Sequence, residues 1–397
     1  MKWHVEAVAD VCEPTEQRDP RQKPASEFHY VDIAGIDRTR KAIVEHQTLM
    51  GIDAPSRARK VIRKDDVLVS TVRPNLNAVA MVPACLDDQI ASTGFCVLRP
   101  NRDWVEPRYL FYWTITSTFV DALASRVRGA NYPAVSDRDV KEVAIPLPSL
   151  AEQRRVVEIL DQAGRLRRLR AEADAKANRI LPALFLKMFG DPAANPMKWR
   201  TDPLGDAIVE TQYGTSRRAN TNGQGVCLLR MNNISSSGEI DLTDVKFVDL
   251  EPAECERQLL REGDIIFNRT NSADLVGKTG LWKESELSAV AASYLIRIRV
   301  DPDQLTPSYA WALMNTTHMK NVLAKTARRA VGMANINATE LRRLPWMFPP
   351  LQLQEDFAAV SDSIGQLNET RYRSLNATGQ MFRNVLNRAF SGTLTAS

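Results

Sequence analysis

PLPSLAEQRRVVEILDQAGRLRRLRAEADAKANRILPALFLKMFG, from Pro146 to Gly190, decides the fold because the chain carries it twice. A shift of 201 residues lays it on Met347 to Ser391 without a gap. Pro148 then falls on Pro349, Leu150 on Leu351, Gln153 on Gln354, Leu166 on Leu367, Arg170 on Arg371 and Phe189 on Phe390. In the first copy, steps of four and three alternate through Ile159, Ala163, Leu166, Arg170, Ala173, Ala177, Ile180 and Leu184. The second copy repeats them as Val360, Ile364, Leu367, Arg371, Ser374, Thr378, Met381 and Val385. A period of about 3.5 residues marks a helix that buries one narrow stripe against another helix. With Leu150, Gln153, Leu351 and Gln354 at the helix starts, these residues form the expected seam and docking set.

Both stripes are thin, and an arginine interrupts each at the same register. Neither helix is expected to stand alone, so the partner of each is the other, or a helix of another subunit. Arg170 and Arg371 in such a seam need a carboxylate, such as Glu172 or Glu369, or water. Leu150 to Met188 reads as one helix of 39 residues, a strut roughly 58 Å long at about 1.5 Å per residue.

Outward from the helices, each copy closes a globular unit. The reading divides the chain into 1–148, a helix at 149–190, a connector at 191–198, a second globular unit at 199–347, a second helix at 348–391 and a tail at 392–397. VIRKDDVLVST (Val61 to Thr71) sits opposite LLREGDIIFNRT (Leu259 to Thr270), with Asp66 and Asp264 as turn carboxylates. Strands are expected at Val67 to Val72, Gln89 to Leu98, Asp264 to Asn268 and Val290 to Arg299, and helices at Pro107 to Val127 and Pro307 to Arg328. The fold class is therefore mixed α/β, repeated with pseudo-two-fold symmetry. Similarity between the globular units is weaker than between the helices, as expected of a shared scaffold whose two halves contact different things.

At 397 residues the chain has room for two or three domains, and 44% hydrophobic with 25% charged residues is the balance of a folded soluble protein. The N-terminal sequence lacks the apolar run of a secretory leader, and no window approaches the ~18 apolar residues of a membrane span, so a cytoplasmic protein without membrane contact is expected. Cys12, Cys85, Cys96, Cys227 and Cys255 are odd in number and never spaced as CxxC, which speaks against a disulfide framework or a zinc site. His4, His29, His46 and His318 show no metal-ligand spacing. GKT at Gly277 to Thr279 lacks the glycine five places earlier that a phosphate loop needs, since Ser272 stands there. Asn131-Tyr132-Pro133 lacks the second proline and the aromatic of an adenine methyltransferase motif. No catalytic residue, metal ligand or cofactor loop is expected in this chain.

With these residues laid out, the chain resembles the specificity subunit of Type I restriction-modification enzymes over essentially its full length. The carriers are PLPSLAEQRRVVEILDQA (Pro146 to Ala163), its repeat PPLQLQEDF (Pro349 to Phe357), the connector FGDPAANPMKW (Phe189 to Trp199) and GDIIFNRTNSADLVGKTG (Gly263 to Gly280). The resemblance implies two target-recognition domains joined by two long antiparallel coiled-coil helices. Each domain would read one half of a split target in double-stranded DNA, and the helices would dock two methyltransferase (modification) subunits. It places S-adenosylmethionine in those partners and leaves room for motor-nuclease (restriction) subunits. The second copy departs from the first, with Gln354-Glu355-Asp356 in place of Gln153-Arg154-Arg155.

The residues offer their own route to DNA. Arginine and lysine neutralise phosphates, while arginine on guanine and asparagine on adenine can make two hydrogen bonds to a base edge. The first unit supplies Arg57, Arg59 and Lys60 before a strand, Arg73 and Asn75 after it, and Arg128 and Asn131 after a helix. The second supplies Arg217 and Arg218, then Arg269, Asn271 and Lys278, then Arg328, Arg329 and Asn335. Any one of these fits a solvated surface charge; their recurrence at matching places sets the group apart. A +4 formal charge suits a polyanionic partner without requiring one. A freestanding bipartite DNA-binding regulator and a coiled-coil interaction scaffold remain as other classes, separated from the specificity reading by co-purification with a methyltransferase and by DNA binding respectively.

Overall fold

The structure is a computed structural model that describes residues 3–128, 133–272, 275–283, 287–330 and 333–393, excepting the side chains of residues 328–330, 368, 369, 372, 373 and 376. Packing divides the chain into two units: Met1–Glu172 with Arg373–Ser397, and Ala173–Tyr372. Each unit therefore takes part of both long helices.

In the first unit, one four-stranded sheet has the order Gln47–Met50, Glu27–Val31, Gln89–Ser92, Ala58–Ile62, and a second has Cys12–Glu13, Phe95–Pro100, Val67–Ser70, Val79–Met81. The expected single strand from Gln89 to Leu98 is two strands, and the corner at Thr93 and Gly94 carries the chain from one sheet to the other. A side chain at Gly94 would put its Cβ 2.6 Å from Ile33 Cδ1. Both strands are buried, so the apolar run continues across the corner and only a glycine marks it. The expected helix from Pro107 is likewise two, Pro107–Thr114 and Ser117–Ala124, divided by Thr116, whose hydroxyl accepts Phe119 N–H at 3.2 Å. The core joins Val67, Val69, Leu98, Tyr109, Trp113 and Phe119 to Val156, Leu160 and Ala163 of the first long helix and to Phe382, Leu386 and Phe390 of the second.

The second unit follows the same plan. Its main sheet has the order Ile208–Tyr213, Leu295–Val300, Ile265–Asn268, Thr279–Leu281, and beside it lies Lys246–Val248, Val226–Leu229, Ala289–Ala291. The run from Val290 to Arg299 again divides in two, here at a turn closed by Leu295 N–H on Ala292 O at 2.8 Å. Thr316 separates the helices Pro307–Met314 and Thr317–Thr326, accepting Met319 N–H at 3.2 Å. Phe185 and Phe189 pack with Tyr309 and Phe357.

Each unit locks a long helix to its domain with one buried glutamine. Gln153 Oε1 accepts Glu106 N–H at 2.9 Å, and its Nε2 donates to Trp104 O at 3.0 Å and Pro148 O at 2.9 Å. Gln354 repeats this with Thr306 N–H at 2.9 Å, Gln304 O at 3.0 Å and Pro349 O at 2.9 Å. Tyr109 donates to Pro146 O at 2.8 Å, and Tyr309 to Met347 O at 3.0 Å.

The helices depart from expectation in two ways. First, Leu150 to Met188 is not one helix: Leu150–Ala177 is followed by Ile180–Phe189. Pro182 lacks the N–H for its turn and crowds the carbonyl of residue 178, which breaks the helix there. The second helix has no proline inside and runs unbroken through Leu351–Phe390. Second, the inward stripe is phased differently. Leu166, Ile180, Val360, Leu367 and Met381 point outward, with Leu367 65% exposed. Leu150, Ile159, Leu184, Leu351, Ile364 and Val385 are half-buried, and Gln153 and Gln354 are buried. From Ala163 the buried face steps four to Arg167 and then three to Arg170, the reverse of the expected order. Large side chains set the roll: Leu160, Phe185 and Phe189 on the first copy, Phe357, Phe382, Leu386 and Phe390 on the second, each burying more apolar area than the leucines left outside. No described helix is long and apolar enough to cross a membrane.

Candidate nucleic-acid interface

In both units the strand that follows the turn carboxylate runs out into a loop, and that loop is laced to the segment after the helical pair. The carboxylate is the anchor. Asp66 accepts Arg63 N–H at 2.8 Å and two guanidinium bonds from Arg99, at 3.1 and 2.9 Å. Burial holds its carboxyl above the usual range against the pull of Arg99. Asp264 accepts Arg261 N–H at 2.8 Å and Arg299 at 2.7 and 3.1 Å. The strands are thereby fixed at one end, and their far ends carry the candidate residues.

In the first unit, Val135 N–H donates to Thr71 O at 2.9 Å and Arg73 N–H to Pro133 O at 2.8 Å, while Arg128 and Ala134 exchange backbone bonds of 3.0 and 3.1 Å. Arg73, Asn75 and Arg128 are thus brought to one end of the unit, and all three are exposed. Arg73 and Asn77 both take left-handed conformations, φ 49° and 46°, which hold the tight turn Pro74–Leu76 between them, with Pro74 buried and Asn75 and Leu76 exposed. Asn131 lies outside the described residues. The second unit repeats the lacing: Ile336 N–H donates to Arg269 O at 2.9 Å, and Thr270–Asn271, Met333–Asn335 and Arg328–Ala330 form one small antiparallel sheet. Arg269, Asn271, Asn335 and the backbone of Arg328 and Arg329 therefore meet at one place. The side chains of Arg328 and Arg329 lie outside the described residues.

Other candidates are turned to internal work. Arg59 donates to Ala58 O at 2.7 Å and pairs with Asp19 at 3.2 Å. Lys60 is held by Asp137 at 2.5 Å. Lys278 is directed inward, its Nζ donating to Met231 O at 2.7 Å and Ile234 O at 2.5 Å, and burial lowers its pKa. These three hold backbone and loops in place, because a carbonyl or carboxylate already takes up their charge. Arg57 and Arg218 are exposed, and Arg217 reaches Glu254 at 3.5 Å. Neither Arg57 nor Arg218 joins the laced loops.

Two tyrosines complete the second site without having been singled out in the sequence. The Arg269 guanidinium lies 4.9 Å over the Tyr213 ring, and Arg269 N–H donates to Tyr294 O at 3.0 Å. Tyr213 and Tyr294 are 43% and 49% exposed, and the Tyr213 ring lies against the arginine. The Tyr213 hydroxyl accepts Ala338 N–H at 3.0 Å, which fixes the ring under the cation. An arginine held flat in this way keeps its fork of donors for a planar acceptor. The signal in the sequence was a tyrosine at the end of a strand, before the glycine turn of TQYGT. All five cysteines are free, with Cys96 and Cys227 buried.

Two loop clusters thus present arginine and asparagine, the side chains that can pair with phosphates and base edges. Residues 1–178 match the family model of the Type I restriction modification DNA specificity domain. The chain is 27% identical over 332 residues to the Type I restriction enzyme EcoKI specificity subunit of Escherichia coli, covering 76% of this chain and 69% of that protein. It is 25% identical over 327 residues to the StySPI specificity subunit of Salmonella potsdam, with the same coverage. A chain from a structure that addresses complex assembly and conformational transition of the type I R-M system is 30% identical, with a TM-score of 0.60 over 99% of this chain and 98% of that one. The Type I restriction-modification S subunit of M. genitalium shares the fold at 13% identity, with a TM-score of 0.53 over 98% of this chain and 96% of that one. This chain belongs to the specificity subunits of Type I restriction-modification systems.

Proposed function

We propose that this subunit reads a split DNA target, one half-site with each globular domain, and carries no chemistry of its own. The observation that carries this reading is the repeated lacing of a strand-end loop to the segment after the helical pair, once in each unit, built around the tight turn Pro74–Leu76 in the first and around a small three-stranded sheet in the second. A shared frame with different readers is what a target of two dissimilar halves requires. The residues assigned to reading are Arg73, Asn75 and Arg128 in the first domain, and Arg269, Asn271 and Asn335 in the second, with Arg328, Arg329 and Asn131 on the same loops.

The two long helices, in this reading an antiparallel coiled coil between pseudo-two-fold related target-recognition domains, dock two methyltransferase subunits in the cytoplasm. Apolar residues that the helix seam leaves outside support this: Leu166, Leu169 and Met381 in the first unit, and Ile180, Val360 and Leu367 in the second. S-adenosylmethionine belongs to the methyltransferase partners, and restriction subunits join the same assembly. Long-read methylation mapping of cells that express this chain, with and without its methyltransferase subunit, tests the proposal. Two short specific blocks around a fixed gap, modified only when both proteins are present, are expected. No new methylation with the partner bound and active rejects it.

A further inference from the structure

The two long helices start from the same lock and carry opposite charge. In the first unit, Arg154, Arg155, Arg165 and Arg168 are all exposed on the helix Leu150–Ala177. At 3.6 residues per turn they fall within an arc of about 140° and a length of about 21 Å. Leu166 and Leu169, 54% and 52% exposed, lie on the same side. None of the four arginines forms an ion pair or a side-chain hydrogen bond among the described residues. Asp161 shares the arc but is already taken by Arg108 and by the Tyr112 hydroxyl, each at 2.6 Å. Among the described residues that leaves Glu158 to face four arginines. The 201-residue shift reverses this charge: it lays Arg154 on Glu355, Arg155 on Asp356, Arg165 on Gln366 and Arg168 on Glu369, while Leu166 falls on Leu367. Gln153 and Gln354 make the same three bonds, so the residues after them leave each domain in the same register. Glu355 and Asp356 are exposed, as is Leu367, and Asp356 accepts the Gln352 amide at 3.1 Å.

Two copies of one methyltransferase present one and the same surface, and a single surface is not complementary to both signs of charge. The unpaired arginines decide which sign it carries. Arginine set among exposed leucines is the composition of a protein interface, where the planar guanidinium meets carboxylates. DNA phosphates would satisfy the arginines and leave both leucines without an apolar partner, so an acidic protein surface fits this face better. We propose that the arginine face of the first unit seats one methyltransferase copy through carboxylates arranged around an apolar centre, and that the second unit, with Glu355 and Asp356 in those places, holds the other copy more weakly. The inference rests on the docking reading above and adds to it the charge of the partner's surface and the face that binds it first.

The test titrates the methyltransferase subunit onto the full chain and follows the one-copy and two-copy complexes by sedimentation velocity at rising salt. Wild type should bind its copies in two unequal steps, the tight one weakening with salt and the loose one not, because salt screens attraction and repulsion alike. Glu355→Arg with Asp356→Arg should tighten the loose step by about tenfold at low salt, and Arg154→Glu with Arg155→Asp should loosen the tight step by a similar factor. All four positions are exposed, and thermal unfolding checks that each pair folds. If the arginine pair does not fold, the second-unit pair decides alone. Equal steps in wild type overturn the inference, as does a second-unit pair that weakens the loose step or a folded arginine pair that changes neither step. An arginine pair that keeps both copies and loses affinity for duplex DNA assigns the face to phosphates and overturns it too. Wild type that binds no methyltransferase overturns the docking reading itself, whereas two equal steps leave that reading standing, so the two failures are distinguishable.

Discussion

Arg371 meets Asp174 across the helix seam of the second unit, its Nε donating to Asp174 Oδ1 at 3.0 Å and its Nη2 pairing with the same oxygen at 2.9 Å. Nη2 also donates to the Asp174 carbonyl at 3.0 Å. With Phe185 packed on Phe357, this contact makes the two segments antiparallel within the unit. The side chains are 22% and 13% exposed, so the pair is largely withdrawn from water. Removing one partner leaves a charge without compensation, which typically costs about 3–5 kcal/mol when fully buried and is expected nearer ~2 kcal/mol here because part of the pair is wet. Asp174→Ala should lower the urea midpoint of the protein, and Asp174→Leu with Arg371→Leu should recover most of the loss. If the double variant is no better than the single, the pair is not the unit of stabilisation.

Gln153 and Gln354 set a second prediction. Each amide makes three bonds to backbone groups, and orphaning a buried polar group costs about 1–3 kcal/mol. Gln153→Ala and Gln354→Ala should each destabilise by about 3 kcal/mol or more on the same per-group scale. Gln153→Glu is the sharper probe. A carboxylate can accept from Glu106 N–H but faces Trp104 O and Pro148 O with no proton to donate. Its folded pKa would be raised, so the defect is full at neutral pH and shrinks as pH falls and the carboxyl takes up a proton. Thermal unfolding of Gln153→Glu at pH 7.5 and 5.5 relative to wild type measures this; equal deficits at both pH values would rule the donor role out.

What was legible in the chain was whatever repeats. The 201-residue self-match disclosed the helices, and both interrupting arginines have places in the structure. The phase of the helix face was not legible, because Leu166 and Leu367 look as much like seam residues as Leu160 and Phe382 do. Which leucine is buried depends on how the aromatic residues at the helix ends seat in each domain, and that is a tertiary fact. Asp174 escaped notice for a related reason: the carboxylates considered for Arg371 were Glu172 and Glu369, and the roll of the helix brings up Asp174 instead. The divided strands were hidden because buried strands on both sides of a corner leave one unbroken apolar run. At the site, the loops could be found from the matching placement of arginine and asparagine. Sequence alone cannot say that Lys278 has two carbonyls within reach while Arg269 has a tyrosine beneath it.

That contrast is testable. Lys278→Met should destabilise the second unit, by about 1–3 kcal/mol for the carbonyls it leaves without a donor, and should leave the recognised sequence unchanged. Arg269→Ala should do the opposite: little change in thermal unfolding, with a loss of about 1–3 kcal/mol of discrimination at one base pair of the second half-site. Methylation mapping reads both. A relaxed position in one block with Arg269→Ala and an intact motif with Lys278→Met are expected, and the converse pattern would reverse the two roles.

Lys41 gives a prediction in which stability responds to pH. Its ammonium is pushed down to about 8 by burial and by Arg167 and Arg38, from an ordinary value of 10.5. A group with a lowered folded pKa favours the folded state fully above its unfolded value, and that contribution is lost as pH falls through the folded value. Wild type should therefore gain stability over Lys41→Met as pH rises from 8 toward 10.5. Thermal unfolding at pH 8, 9 and 10 on the two proteins measures this trend. A difference between them that stays constant over that interval would assign the pH dependence to another group.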